Sequence, residues 1–326
     1  MTSLNLKKHQ FGKIPTKIIW IQVAGFTHEH LALLKFDNNA STQLNSFENT
    51  LCLGEAWEYS LFDLRPSAEL SFISQITGKK NIKNTCEDLS YKPIWDYGKN
   101  LNLKIGLFES ELRSEQSILT KVDECKADSY LSNVTYWGMK NNPKKSQKLF
   151  HINELVNYEK GNRYFDKSCV SGKCSTSLSK NIEQTFLNFQ KNSSNYIYLV
   201  RNFSYLNALK KNNMVDIKRE LFELERTLAF FQSLARKNSD MLILLTTANG
   251  QEIDFPRSGL AWKNFDRSKN FLKLKNSKLI SSVYASGARA ENFCGIYDQS
   301  QILTRIYSGA KQQGLEFSII NPFDQN

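Results

Sequence analysis

An α/β fold, a three-layer αβα sandwich around a central, mostly parallel sheet, is what this sequence predicts, and three observations predict it. Apolar, β-branched runs recur at long intervals, IIWIQVAGF (18–26), YIYLV (196–200) and MLILL (241–245), without the polar alternation of a half-exposed strand. Between the last two lies a stretch whose Ile217, Leu221, Leu224, Leu228, Phe231 and Ala235 recur at alternating spacings of four and three, one face of a helix. Strand, helix, strand with apolar strands is the order of a sheet covered on both faces. A chain of 326 residues, 40% of them hydrophobic, can bury a sizeable core, and it reads as a single domain over 1–326.

Taken in order, the first strand is 18–26, ending in an Ala-Gly turn. PSAELSFISQITGKK (66–80) predicts a helix stopped by Thr-Gly, and IWDYGKNLNLKIGLFES (94–110) a helix, a turn and a short strand. The stretch 121–179 is rich in Asn, Lys and Ser with no clear period, and it reads as an insertion within the domain. After the strands at 196–200 and 241–245, LISSVYA (279–285) predicts another strand, and SQILTRIYSGAKQQG (300–314) a helix that a Gly would stop.

The formal charge of +11 would suit an anionic partner, but Lys and Arg are spread along the whole chain. The densest stretches, KNNPKKSQK (140–148) and KNFDRSKNFLKLKNSK (263–278), read as solvated loops, and without a basic-aromatic motif they do not favour nucleic acid. No apolar run approaches the roughly 18 residues of a membrane span. The start lacks the apolar stretch of an export signal, so the expectation is cytoplasmic if the chain is full length, and periplasmic or secreted if a signal has been removed.

Among the six cysteines only Cys169 and Cys174 are close in sequence, and their spacing allows a local disulfide or two free thiols. Cys86 and Cys294 could each be offered as nucleophiles, but neither has a His nearby in sequence, and a structural cysteine is the simpler reading. His28, Glu29 and His30 could hold a metal or merely cap the first helix. His9 and His151 stand apart from any such group.

The pieces, in this order, resemble the alkaline phosphatase superfamily. The most specific part is VYASGARAENFCGIYDQSQILTRIY (283–307), which keeps the family's frame of strand, Gly, small residues, second Gly, acidic-polar turn and final helix. The resemblance runs from Ile18 to Tyr307, apart from the insertion. It implies an alkaline-phosphatase-like fold and a two-metal phosphomonoesterase site, and it also implies where that site's residues fall. Metal ligands would then fall at Ala24, Arg201, Leu206, Lys210, Ala248, Asn249 and Arg289, and the nucleophile near Ser67 and Ala68. The segment LFESELRSEQS (107–117) would supply a magnesium site and retain Glu115 and Ser117.

Alanine, leucine, asparagine and cations cannot assemble two metal ions, which need several carboxylates and imidazoles converging on each. The expectation is a catalytically inactive protein, a pseudoenzyme with a binding or structural role and no zinc or magnesium. Arg201, Lys210 and Arg289 would either bind an anion such as phosphate in the former cleft or pair with internal carboxylates. Two alternatives stay open. One is an active metal-dependent phosphomonoesterase with a rearranged site and bound zinc and magnesium; the other is an interaction protein using a basic surface. Neither partner identity nor oligomeric state follows from the sequence.

Overall fold

The computed structural model describes residues 14–36, 44–100, 103–110, 116–139, 148–150, 158–169, 174, 176–191, 193–267 and 274–307. The first third contains β1 (Lys17–Ala24), α1 (Ala32–Lys35), α2 (Asn45–Glu48), β2 (Cys52–Trp57), α3 (Ala68–Thr77), α4 (Ile94–Asn100) and β3 (Lys104–Ser110). There follow α5 (Ile118–Glu124), β4 (Val134–Gly138), β5 (Lys148–Phe150), β6 (Arg163–Asp166), α6 (Leu178–Phe189) and β7 (Tyr196–Asn202). The last third holds α7 (Ser204–Lys211), α8 (Met214–Ala235), β8 (Met241–Ala248), β9 (Gln251–Ile253), α9 (Gly259–Arg267), β10 (Leu274–Ser277), β11 (Ile280–Gly287), β12 (Gly295–Asp298) and α10 (Ile302–Tyr307).

Ten strands form one sheet in the order β12-β2-β11-β8-β1-β7-β3-β4-β6-β5, and β9 and β10 form a separate ribbon. β1 pairs in parallel with both β7 and β8, and β3, β4, β6 and β5 continue the parallel run. β11 lies antiparallel to β8 and β2, so it alone runs against the other strands of this sheet.

The continuous apolar runs follow from burial on both faces. Ile19, Ile21 and Val23 of β1 join the core under α6, α7 and α8, while Ile18 and Trp20 join the opposite core with residues of α3, α4, α5 and α10. The helical stripe of α8 does what its spacing predicts: Ile217, Leu221, Leu224, Leu228 and Phe231 are buried in the first core. α3 ends at Gly78 with φ of 68°, a left-handed stop that glycine adopts without cost.

Residues 121–179 hold more order than their composition suggests. They contain β4, β5 and β6, which extend the central sheet beyond β3. Strands of three to five residues leave too little sequence for a period to show. All six cysteines are paired, as Cys52–Cys294, Cys86–Cys125 and Cys169–Cys174, which removes Cys86 and Cys294 as free nucleophiles. Among the described residues, no helix is long and apolar enough to cross a membrane.

Candidate functional site

In an open parallel sheet, side chains for binding and chemistry gather where the strands end. Here that edge carries Ala24 beside Ala248, and Ser110 beside Asn202. α3 is drawn against it by a buried polar chain. Gln22 donates to Gln75 Oε1 (3.0 Å), Thr246 donates to the same oxygen (2.7 Å), Trp20 donates to Thr246 (2.9 Å), and Gln75 Nε2 reaches the Thr247 carbonyl (3.1 Å). Ser67 caps the helix by accepting from the Leu70 amide, so Ala68 begins the helix right at the strand ends.

Four of the positions singled out in the sequence meet there. Ala24, Ala68, Leu206 and Ala248 pack with Phe72 and Phe203 into one apolar cluster, every member at most 2% exposed. Gly25, with φ of +82°, makes the turn that lets α7 approach, and a Cβ built on it would stand 2.9 Å from Leu206 Cδ1. Two phenylalanine rings and a leucine thus pack against the alanines at the strand ends and the start of α3. The cluster contains no group able to ligate a cation or accept a proton.

Beside this cluster an ion pair bridges β7 and β3. Arg201 of β7 lies in register with Glu109 of β3, and its Nη1 donates to Glu109 Oε1. Neither side chain is more than 1% exposed. The carboxylate has further donors: the Ile118 amide on Oε1 (3.1 Å), and Ser117 Oγ (2.9 Å) and Tyr136 OH (2.8 Å) on Oε2. The guanidinium also lies 5.7 and 5.4 Å from the ring centres of Phe72 and Phe203, so the pair borders the apolar cluster. Glu109 stands one residue before the end of buried β3, a position visible in KIGLFES.

A second carboxyl went unforeseen. Glu58, just past β2, is buried and accepts from the Asn249 amide at 2.6 Å. Burial pushes its pKa up to about 8, against the lowering effect of the hydrogen bond from the Asn249 amide. Asn249 sits at φ of 52°, donates through Nδ2 to the Pro66 carbonyl (3.1 Å) and accepts from Gln251 through both its carbonyl and Oδ1. Its polar groups serve the turn.

Several expectations are corrected. Arg289 does not reach this edge: β11 is antiparallel, Gly287 pairs with Leu242 at the start of β8, and the Ala288 amide bonds the Met241 carbonyl. Arg289 therefore lies at the opposite end of the sheet, where Nη1 donates to the Tyr307 carbonyl (2.7 Å). Lys210 is exposed near the end of α7, while Leu206, one turn earlier, points inward. Arg201, Lys210 and Arg289 consequently do not form a shared anion cleft, and Arg201 takes the internal carboxylate that was the other expectation. Ser117 caps α5 and bonds Glu109; Glu115 lies outside the described residues.

The histidines of the first turn are equally engaged. His30 is buried, with Tyr205 OH 2.8 Å from Nδ1 and the Gln251 carbonyl 2.8 Å from Nε2, and burial lowers its pKa to about 3. His28 Nδ1 lies 3.1 Å from Ser282 Oγ. The His30 amide bonds the Thr27 carbonyl (3.0 Å) and the Thr27 amide reaches His30 Nδ1 (3.4 Å), so His30 is tied into this first turn. His9 and His151 lie outside the described residues.

The zinc and magnesium ions implied by the resemblance do not fit these residues. A closed zinc site takes four nitrogen, sulfur or oxygen ligands. The cluster offers none, and both oxygens of Glu109 already accept from protein donors. Among the described residues, no group of three or more His, Cys, Asp or Glu is placed to hold a metal ion.

Comparison with known proteins finds the fold. Alkaline phosphatase from Thermus thermophilus superposes with a TM-score of 0.70 at 10% identity, covering 97% of this chain and 95% of that one. Alkaline phosphatase from the Antarctic bacterium TAB5 gives 0.67 at 12% identity over 93% and 99%. The lipoteichoic acid synthase LtaP from Listeria monocytogenes gives 0.53 at 13% identity over 93% and 73%. No family profile and no curated protein sequence matches. The chain has an alkaline-phosphatase-like fold.

Proposed function

We propose that this chain uses an alkaline-phosphatase-like scaffold without its chemistry, as a catalytically inactive protein with a binding or structural role. The observation that carries the reading is the packing of Ala24, Ala68, Leu206 and Ala248 with Phe72 and Phe203 at the strand ends. A two-metal phosphoryl-transfer centre needs an activated nucleophile and two cations clamping the attacking and leaving oxygens. An alanine stands at the start of α3, alanines end β1 and β8, and the nearby carboxylate of Glu109 is neutralised by Arg201. Burying these apolar side chains together stabilises the fold where an enzyme keeps its site open and polar.

The test is hydrolysis of p-nitrophenyl phosphate by the full chain with zinc and magnesium added, beside Ala68→Ser. Both are expected to show only the uncatalysed rate, since a hydroxyl alone restores neither the base nor the metals. Turnover by the unaltered protein, abolished by a chelator, would return the chain to the phosphomonoesterases. We further propose an oxidising compartment for it, because three disulfides consuming every cysteine are unusual in reducing cytoplasm. Alkylation of the purified protein without reductant is expected to label no thiol; six labelled cysteines would contradict it.

A further inference from the structure

We propose that the turn following β2 docks on an anionic lipid surface. Three large apolar side chains stand within four residues there: Leu61 is 67% exposed, Phe62 61% and Leu64 74%. Scattered exposed apolar residues are ordinary, but three clustered on one short turn mark a contact surface.

The turn is built to present them. Ser60, itself buried, donates its amide to the Asp63 carbonyl (2.8 Å), and its Oγ accepts from the amides of Phe62 (3.2 Å) and Asp63 (2.9 Å). Asp63 Oδ1 accepts from the Arg65 amide (2.9 Å), and the Leu61 amide bonds the Lys80 carbonyl (2.9 Å). A turn held by five hydrogen bonds loses little further freedom on docking.

Charge complementarity selects the occupant. The bond to Lys80 sets the lysine-rich stretch GKKNIK (78–83) against the turn, and Lys83 Nζ lies 5.3 Å from the Phe62 ring centre. Lys80 pairs with Asp298 and Lys83 with Glu87, whereas exposed Arg65 and Lys79 form no ion pair among the described residues. Apolar tips flanked by cations, on a chain of formal charge +11, suit an interface where tips enter the acyl boundary and cations meet phosphate headgroups. The proposal does not depend on whether the strand-end site is catalytic.

The experiment is co-sedimentation of the full chain with phosphatidylcholine vesicles and with vesicles containing phosphatidylglycerol. Binding is expected only to the anionic vesicles and is expected to weaken as salt rises. The triple variant Leu61→Ser, Phe62→Ser, Leu64→Ser is expected to bind about a hundredfold more weakly, roughly fivefold per side chain. The double variant Arg65→Gln, Lys79→Gln is expected to lose about thirtyfold, the product of roughly fivefold per cation near a charged surface. Both are expected to melt at the temperature of the parent, because the altered side chains are exposed. Absence of binding to anionic vesicles, or equal binding by the triple variant, would overturn the proposal. So would a dimer that the triple variant abolishes while vesicles stay unbound, which would assign the turn to a protein contact.

Discussion

Replacing Arg201 with Met tests whether the pair beside the apolar cluster is a structural substitute for bound cations. The substitution keeps much of the aliphatic volume between Phe72 and Phe203 but leaves Glu109 buried with three donors, Ser117 Oγ, Tyr136 OH and the Ile118 amide, and no compensating charge. Breaking one partner of a buried pair costs about 3–5 kcal/mol, most of it the penalty of the stranded ion. Replacing both partners with apolar or neutral groups is close to neutral. Arg201→Met with Glu109→Gln is therefore expected to recover much of the loss, a coupling of about 2–3 kcal/mol in a double-mutant cycle. Urea unfolding of the four proteins, followed by circular dichroism, reads these energies from midpoints at equal slope. A single variant destabilised by less than about 1 kcal/mol, with additive effects in the double, would refute the argument that the pair is one buried unit.

Glu58 predicts a pH effect of definite sign. A carboxyl raised from 4.5 to about 8 binds more protons folded than unfolded within that window, so its contribution lowers stability as pH rises through it. Glu58→Gln is expected to abolish this part of the slope and to be the more stable protein at pH 8.5, by up to about 5 kcal/mol. His30, lowered from 6.5 to about 3, contributes the opposite slope below pH 6.5, so the difference between parent and variant in urea midpoints at pH 5 and 8.5 is the informative quantity. Equal pH profiles for the two proteins would mean that Glu58 is ionised at neutral pH. Gly25→Ala is expected to cost at least about 2 kcal/mol, since it combines strain at positive φ with overlap against Leu206. A melting temperature within a degree of the parent would show that β1 and α7 can separate freely.

Much of the scaffold was legible because β1, β7 and β8 are buried on both faces and α8 on one, and burial of that kind writes continuous or helical periods. Ala24, Ala68, Leu206 and Ala248, placed at one edge by the family resemblance, do pack together, since Ala24 and Ala248 end neighbouring strands and Ala68 and Leu206 stand on helices packed there. Arg289 was misplaced because sequence pattern does not reveal strand direction: running β11 antiparallel carries its end away from the site. Glu58 left no local signal, since its carboxyl is engaged by Asn249 from a distant segment. The same holds for Cys52 and Cys294, which pair across 242 residues.

The measurement that bears most directly on the filled-site account is the metal content of the purified chain, by mass spectrometry after dialysis against zinc and magnesium. Less than about 0.1 ion per chain is expected, because Ala24, Leu206 and Ala248 offer no ligands and Glu109 is held by Arg201. About two tightly held zinc ions per chain would contradict it and would place a working metal centre in residues other than those assembled here.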